Sequence, residues 1–270
     1  MTIITKLTAT LLSCATLLIA PAAHASLIAL YTYDNASNLG QDSSGRGNNL
    51  VGLNTPTSAT GLYGGAVNFN GNNDLYSTSG TLSGLPTGGS SYTITSWINP
   101  TTAGNGGAGG IVGWGAYGAS NQVVALRMNG PTSLHNYWWD NDLSANANMD
   151  LTSNATNAGW HFVAATYDAT THVNSIYIDG LLASTRLGYN LNAQGTNFAV
   201  GKTVNNEFFD GQMDNTAIFD TALTLAQLKT VAANNFSQFG VANVPEPGSL
   251  LLLSIGALAV FGASRRKQSK

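Results

Sequence analysis

The chain has 270 residues, of which 9% are charged, with a formal net charge of −3, 31 glycines and one cysteine. The charged fraction is far below the ~25% of an average globular protein, which excludes a coiled coil, a basic nucleic-acid binder and a charged disordered tail. Asn and Thr, 29 of each, take the place of charge, so the composition points to a strand-rich chain with a neutral polar surface, long enough to bury a full core as one domain.

Residues 1–25 carry one early charge, Lys6, then an apolar stretch from Leu7 to Ala20, then Pro21 and the small-residue run Ala23-His24-Ala25. That order predicts a secretory signal peptide cut after Ala25. Cys14 lies inside the apolar stretch, so the mature chain would have no cysteine and no disulfide. From residue 26 to 247, five cations (Arg46, Arg127, Arg186, Lys202, Lys229) stand against thirteen acids, a balance of −8. A domain with that balance is not suited to nucleic acid or anionic lipid.

Short apolar runs separated by Gly, Asn, Ser and Thr predict strands at 27–34, 65–71, 92–100, 110–115, 123–129, 135–141, 160–168, 175–180, 197–202 and 211–220. In 92–100 the alternation places Tyr92, Ile94, Ser96 and Ile98 on one face and Thr93, Thr95 and Trp97 on the other. Asp179-Gly180 suits a two-residue hairpin turn, where both positions need positive φ. One helix is expected after Thr224, with Gln227 completing a capping box and Leu225, Leu228 and Val231 forming its apolar stripe. The predicted fold is all-β: a two-sheet antiparallel jelly-roll sandwich over 26–234 with one short C-terminal helix, followed by a linker at 235–244.

The chain ends in Pro245-Glu246-Pro247, an uncharged and mostly apolar run at 248–263, and a basic cluster of Arg265, Arg266, Lys267 and Lys270. As a helix the apolar run would reach about 24 Å at ~1.5 Å per residue, short of a ~30 Å hydrocarbon core but able to span with thinning or snorkelling. The cations would hold the end on the cytoplasmic side. This three-part tail, over 245–270, resembles a PEP-CTERM sorting signal. The resemblance implies processing by an exosortase-type membrane protease, and a carrier exported by a Gram-negative bacterium that makes extracellular polysaccharide.

The domain itself resembles the laminin-G-like (concanavalin-A-like) jelly roll. The pieces that carry the resemblance come in order: DSSGRGNN at 42–49, GGAVNFNGNND at 64–74, YTITSWINP at 92–100, GWHFVAATYD at 159–168, IYIDG at 176–180 and FDGQMDNTAIFDTALTLAQL at 209–228. One departure is Asn215-Thr216, where the family usually has an acid and an aliphatic. Many members hold a structural Ca²⁺ between the first of these loops and the last strand. Carried over, Asp42 and Asp214 would supply carboxylates and Asn48, or a nearby carbonyl, a further oxygen. Calcium takes six to eight oxygens, which a tight loop with two glycines could turn inward. An Asx-turn at Asp42 and a hydrogen-bonded Asp214 is the alternative.

Tyr137, Trp138, Trp139, Trp114 and Tyr117 are the aromatic candidates for a ligand site. If 135–141 is a strand, Tyr137 and Trp139 share one face and Trp138 takes the other. Exposed rings beside amides suit neutral sugars, whose C–H faces pack on aromatic planes; burial in the two layers is the alternative. The Asp140-Asn141-Asp142 run lacks the glycine and the glutamate of an EF-hand. Glu207 and Glu246 are the only glutamates and do not form the closely spaced pair of a retaining glycosidase. No GxSxG elbow or HxxxH zinc spacing accompanies His135, His161 and His172. The expectation is a non-enzymatic, exported and envelope-anchored binding module for extracellular polysaccharide or a surface glycan. A structural matrix protein and a glycan hydrolase are the rival readings.

Overall fold

The computed structural model describes residues 25–77, 81–153 and 159–241. The expected signal peptide, the apolar segment 248–263 and the sorting residues Pro245, Glu246, Pro247, Arg265, Arg266 and Lys267 lie outside those residues. Fifteen strands form among them: β1 (Leu27–Tyr31), β2 (Val51–Leu53), β3 (Thr57–Thr60), β4 (Gly65–Asn70), β5 (Leu75–Ser77), β6 (Tyr92–Pro100), β7 (Ala108–Gly115), β8 (Val123–Asn129), β9 (Ser133–Tyr137), β10 (Leu143–Asn146), β11 (His161–Asp168), β12 (Val173–Ile178), β13 (Leu181–Leu187), β14 (Ala199–Val200) and β15 (Asp210–Phe219). A single α-helix, α1 (Leu225–Ala232), follows them. Among the described residues no helix is long and apolar enough to cross a membrane.

The strands make two antiparallel sheets. One runs β13-β12-β11-β6-β15-β4-β3, with β1 also paired to β15; the other runs β10-β9-β8-β7-β14-β5-β2. The alternation along β6 works as read: Tyr92, Ile94 and Ile98 enter the core between the sheets, whereas Trp97 packs on the outside of the eight-stranded sheet. Burial of these rings supplies the main driving force, about 1.5–3 kcal/mol for a fully buried large side chain. A polar chain crosses this core: Tyr92 Oη donates to Asn136 Oδ1 at 2.8 Å, and Asn136 Nδ2 donates to Asn174 Oδ1 at 2.7 Å. Asp179 and Gly180 turn β12 into β13 at φ 51° and 74°, as the hairpin pattern requires.

A second core lies on the outer face of the eight-stranded sheet. Thr224 and Gln227 form the expected capping box, and α1 lays Leu228 and Val231 onto Leu27, Leu30, Phe162 and Phe219. Leu225, expected in that stripe, is instead exposed in the first position of the helix, and only Leu228 and Val231 are buried. The expected linker also needs correction. Phe236 is buried in this second core and Phe239 stacks 4.7 Å from Phe219, so residues 235–241 belong to the folded body. The carbonyl of Ala232 accepts from both Tyr63 Oη and Trp97 Nε1, which satisfies a helix-end carbonyl left without an intrahelical donor. One sheet face is thus roofed by the helix and the C-terminal segment. On the outer face of the seven-stranded sheet, Val204 and Trp139 pack over a smaller cluster of Val123, Ala125 and Tyr137.

Candidate functional site

Two buried carboxylates were expected to share a cation, and the fold gives them different surroundings. Asp42 sits in an Asx-turn after β1. Its Oδ1 accepts from the backbone N–H groups of Leu30 (3.1 Å) and Ser44 (2.9 Å), and its Oδ2 from Ser44 Oγ (2.8 Å) and the Asn48 N–H (2.9 Å). Asn48 is equally engaged: its amide donates to Ile28 O and Ser83 O and accepts from Ser83 N–H. The loop is therefore a clamp between β1 and the 81–85 segment, and its side-chain oxygens are already spoken for by protein donors.

Asp214, on β15, is fully buried. Its Oδ2 accepts from the Tyr63 N–H at 2.8 Å, while Oδ1 has no partner. Burial pushes its carboxyl up to about 7, and the nearby negative charge of Asp34 adds to the rise. A Cβ on Gly61 would stand 2.6 Å from Asp214 Oδ2, so this approach of backbone to carboxylate needs glycine. The structure thus joins Asp214 with Asp34 and the 61–65 turn, and joins Asp42 with Asn48 in a separate clamp. An orphaned carboxylate oxygen beside a second carboxylate fits a hard, oxygen-seeking cation such as calcium. Among the described residues no cluster of three or more His, Cys, Asp or Glu forms, so backbone carbonyls or water would have to complete the coordination. A cavity of about 350 Å³, bounded in part by Asp34, Asn35, Gln41, Asn234 and Phe236, opens beside Asp34.

The five aromatic candidates also separate. Trp138 is a core residue: it is fully buried, donates from Nε1 to Tyr92 Oη at 2.8 Å, and meets Tyr167 edge-on at 5.0 Å. Trp114 is likewise buried, with Nε1 donating to Pro86 O. Tyr137 ends β9 on the outer face of the seven-stranded sheet, buried beneath neighbours, with the Arg127 guanidinium 4.3 Å over its ring. Strand geometry stops there. Trp139 and Asp140 adopt φ 63° and 74°, a left-handed pair that is rare for a non-glycine residue and costs of order 1–3 kcal/mol each. This backbone sets the half-buried Trp139 ring edge-on to Tyr117 at 4.3 Å and 6.2 Å from Tyr137. Tyr117 is 47% exposed. The loop positions are locked by Asn121 N–H to Trp139 O (3.1 Å), Ser120 Oγ to Asp140 Oδ2 (2.8 Å) and Asn141 Nδ2 to Asn121 Oδ1 (2.9 Å). Tyr117 and Trp139 therefore form an open aromatic shelf rimmed by amides, a hydroxyl and a carboxylate.

With this geometry in view, the comparisons with known proteins place the chain. The family described as the concanavalin A-like lectin/glucanases superfamily matches residues 70–229, more than half of the chain. The chain belongs to that superfamily. A PEP-CTERM protein-sorting motif matches residues 243–267 and marks the chain for export and for processing by an exosortase-type system. Among solved structures, domain 4 of AbnA, a GH43 extracellular arabinanase from Geobacillus stearothermophilus in complex with arabinotriose, is similar at a TM-score of 0.53 and 19% identity, over 77% of this chain and 99% of that one. The binding domain of botulinum neurotoxin serotype G is similar at 0.57 and 14% identity, over 77% and 51%. The binding domain of Paraclostridial Mosquitocidal Protein 1 is similar at 0.56 and 14% identity, over 76% and 51%. These likenesses show the fold, and the chain spans about half the length of the toxin binding domains it matches. No curated protein matches it in sequence.

This concanavalin A-like domain carries a polar network next to the shelf, in which the fold brings His135 and Glu207 together through Arg127. Arg127 pairs with Glu207, which also accepts from Thr203 Oγ1 at 2.9 Å. An Arg127 N–H lies 3.4 Å from His135 Nδ1, and His135 Nε2 lies 3.0 Å from Ser144 Oγ. Arginine can only donate, so Nδ1 accepts and Nε2 carries the proton toward Ser144. Burial first, and Arg127 second, hold the imidazole below its usual range and keep it neutral. A serine that receives a proton-bearing Nε2 is not activated as a nucleophile. The network offers a fixed array of donors and acceptors. One signal was present in the sequence: Val123, Ala125 and Arg127 alternate onto one face of VVALRMN, an arginine in an otherwise apolar stripe.

Proposed function

We propose that this protein is an exported, non-enzymatic binding module for a neutral extracellular glycan, with the Tyr117–Trp139 shelf as its recognition surface. The observation that carries the reading is Trp139: a large ring left partly open at the end of β9, on strained backbone, against an exposed tyrosine. Strained backbone is retained where the surrounding structure over-determines it, and such positions cluster at ligand sites. Sugar rings pack on such planes, and Asn121, Asn141, Asp140 and Ser120 stand around the shelf to exchange hydrogen bonds with hydroxyls. The balance of −8 favours a neutral ligand over an acidic one. That the AbnA domain was solved with arabinotriose gives the reading support by analogy of fold. The apolar run 248–263 would hold the domain on the periplasmic side of the cytoplasmic membrane until the tail is processed. A structural calcium belongs to this reading, with Asp214 and Asp34 as its carboxylates and Asp42 and Asn48 as a clamp in the same end of the fold.

The test is affinity electrophoresis of the full chain against a panel of neutral and acidic polysaccharides. Tyr117→Ala and Trp139→Ala should each weaken retention on a neutral polymer at least several-fold while leaving the melting temperature near that of the parent. Retention unchanged in both variants removes the shelf from the reading. Retention by no polymer at all favours the matrix-protein alternative, and release of reducing ends favours the hydrolase.

A further inference from the structure

The cavity beside Asp34 lies on the opposite side of the sandwich from the shelf. Leu30 and Phe236 line it and belong to the second core, on the outer face of the eight-stranded sheet, whereas Tyr137 and Trp139 pack on the outer face of the seven-stranded sheet. Its volume of about 350 Å³ is at the lower end of small-molecule pockets, which run from ~300 to ~1,000 Å³. Three polar side chains of its lining are each fixed at one atom and open at the other. Gln41 Oε1 accepts from Asn35 Nδ2 at 2.8 Å, Asn234 Oδ1 from Asn215 Nδ2 at 3.1 Å, and Asp34 Oδ1 from the Gly65 N–H at 2.8 Å. Gln41 Nε2, Asn234 Nδ2 and Asp34 Oδ2 have no hydrogen-bond partner among the described residues. Backbone strain accompanies two of them. Tyr33, next to Asp34, stands at φ 59°, an outlier for a bulky residue, with its ring tied down by Oη donation to Thr216 Oγ1 at 2.9 Å; Asn234 itself stands at φ 56°.

We infer that this cavity is a second ligand site, which takes a single unit of a neutral sugar. The open atoms select that chemistry. Gln41 Nε2 and Asn234 Nδ2 only donate, and Asp34 Oδ2 only accepts. A hydroxyl group does both, so a ring bearing several hydroxyls meets both kinds of partner at once. An anionic ligand would meet the Asp34 carboxylate with no cation among the described lining residues to offset it. An ammonium group would suit Asp34 but would leave the two amide donors facing another donor. The apolar wall of Leu30, Phe236 and Val241 suits the C–H face of a sugar. Side chains anchored before the ligand arrives lower the ordering cost of binding. The site stands apart from the shelf, and neither needs the other.

The experiment is a ligand-observed NMR titration of the full chain, in a detergent without a sugar headgroup, with the methyl glycosides of glucose, galactose, mannose, xylose and arabinose. At least one should bind saturably. Gln41→Glu and Asn234→Asp keep the anchored oxygen and replace the open NH₂ group with an acceptor, so each should raise the dissociation constant about fivefold or more. Gln41→Ala checks the same effect without new charge, and a melt on each variant confirms folding. Glucuronate and glucosamine should bind about fivefold or more weakly than the best neutral glycoside. Each titration is run in calcium and in EDTA, because Asp34 also belongs to the calcium reading. The amide variants should lose binding in whichever medium the parent binds, so the cavity and the cation fail separately. A trisaccharide of the preferred unit that binds as well as the glycoside identifies a chain end as the ligand; one that is excluded identifies the free sugar. No saturable binding by any neutral glycoside overturns the proposal. So does binding that all three variants leave unchanged, binding lost instead in Tyr117→Ala or Trp139→Ala, or preference for a charged sugar.

Discussion

Asp42 and Asp214 are two buried carboxylates in one sandwich, and their surroundings differ in a way that assigns them different work. Asp42 accepts four hydrogen bonds, two at each oxygen, and so ties its own loop to β1. Asp214 leaves Oδ1 unpaired, faces Asp34, and has its carboxyl pushed up to about 7 by burial. The first is stabilised by the protein alone. In the second, burial favours the neutral carboxyl and backbone N–H groups offset that only in part, so a bound cation would favour its charged form. A carboxylate's place in a tight, glycine-bearing loop therefore says less about metal binding than the count of donors already aimed at it.

Four measurements would break or sharpen that contrast. The largest effect belongs to Asp42→Ala, which strands four donors and should cost about 3–5 kcal/mol in denaturant unfolding, equally in calcium and in chelator. Next comes calcium itself: at a hundredfold excess over its dissociation constant it should stabilise the parent by about 2.7 kcal/mol, reversed by EDTA. Asp214→Asn and Asp34→Asn should each abolish that response, whereas loss of the response in Asp42→Asn alone would return the cation to the first loop. Gly61→Ala places a methyl against Asp214 Oδ2 and should cost about 1–3 kcal/mol by thermal melt, with a weaker calcium response. The smallest shift is for Asp214→Asn in chelator, within about 1 kcal/mol of the parent, because a carboxyl that burial already pushes toward its neutral form is replaced by a neutral amide.

Much of the fold was legible along the chain. All ten strands read from alternation are present, and Thr224 and Gln227 cap the helix as their spacing predicts. The strands that were missed are β2, β3, β5, β10 and β13. Three of these, β2, β3 and β13, lie at sheet edges with mostly exposed side chains, so they carry no buried face and no period-2 signal. The aromatic site was legible only as composition. HNYWWDN reads as one continuous strand, yet pairing ends at Tyr137 and the next two residues part company, Trp138 into the core and Trp139 onto the surface.

The sequence by itself determined ten of the strands, the single helix, the acidic and cysteine-free character of the domain and the sorting tail, because each depends on local periodicity, spacing or composition. Tertiary structure alone decided which carboxylate has a spare oxygen, which tryptophan meets solvent and which sheet face the helix covers. Those outcomes rest on partners brought from far along the chain, such as Tyr63 to Asp214 and Tyr117 to Trp139. Local pattern carries no record of such partners.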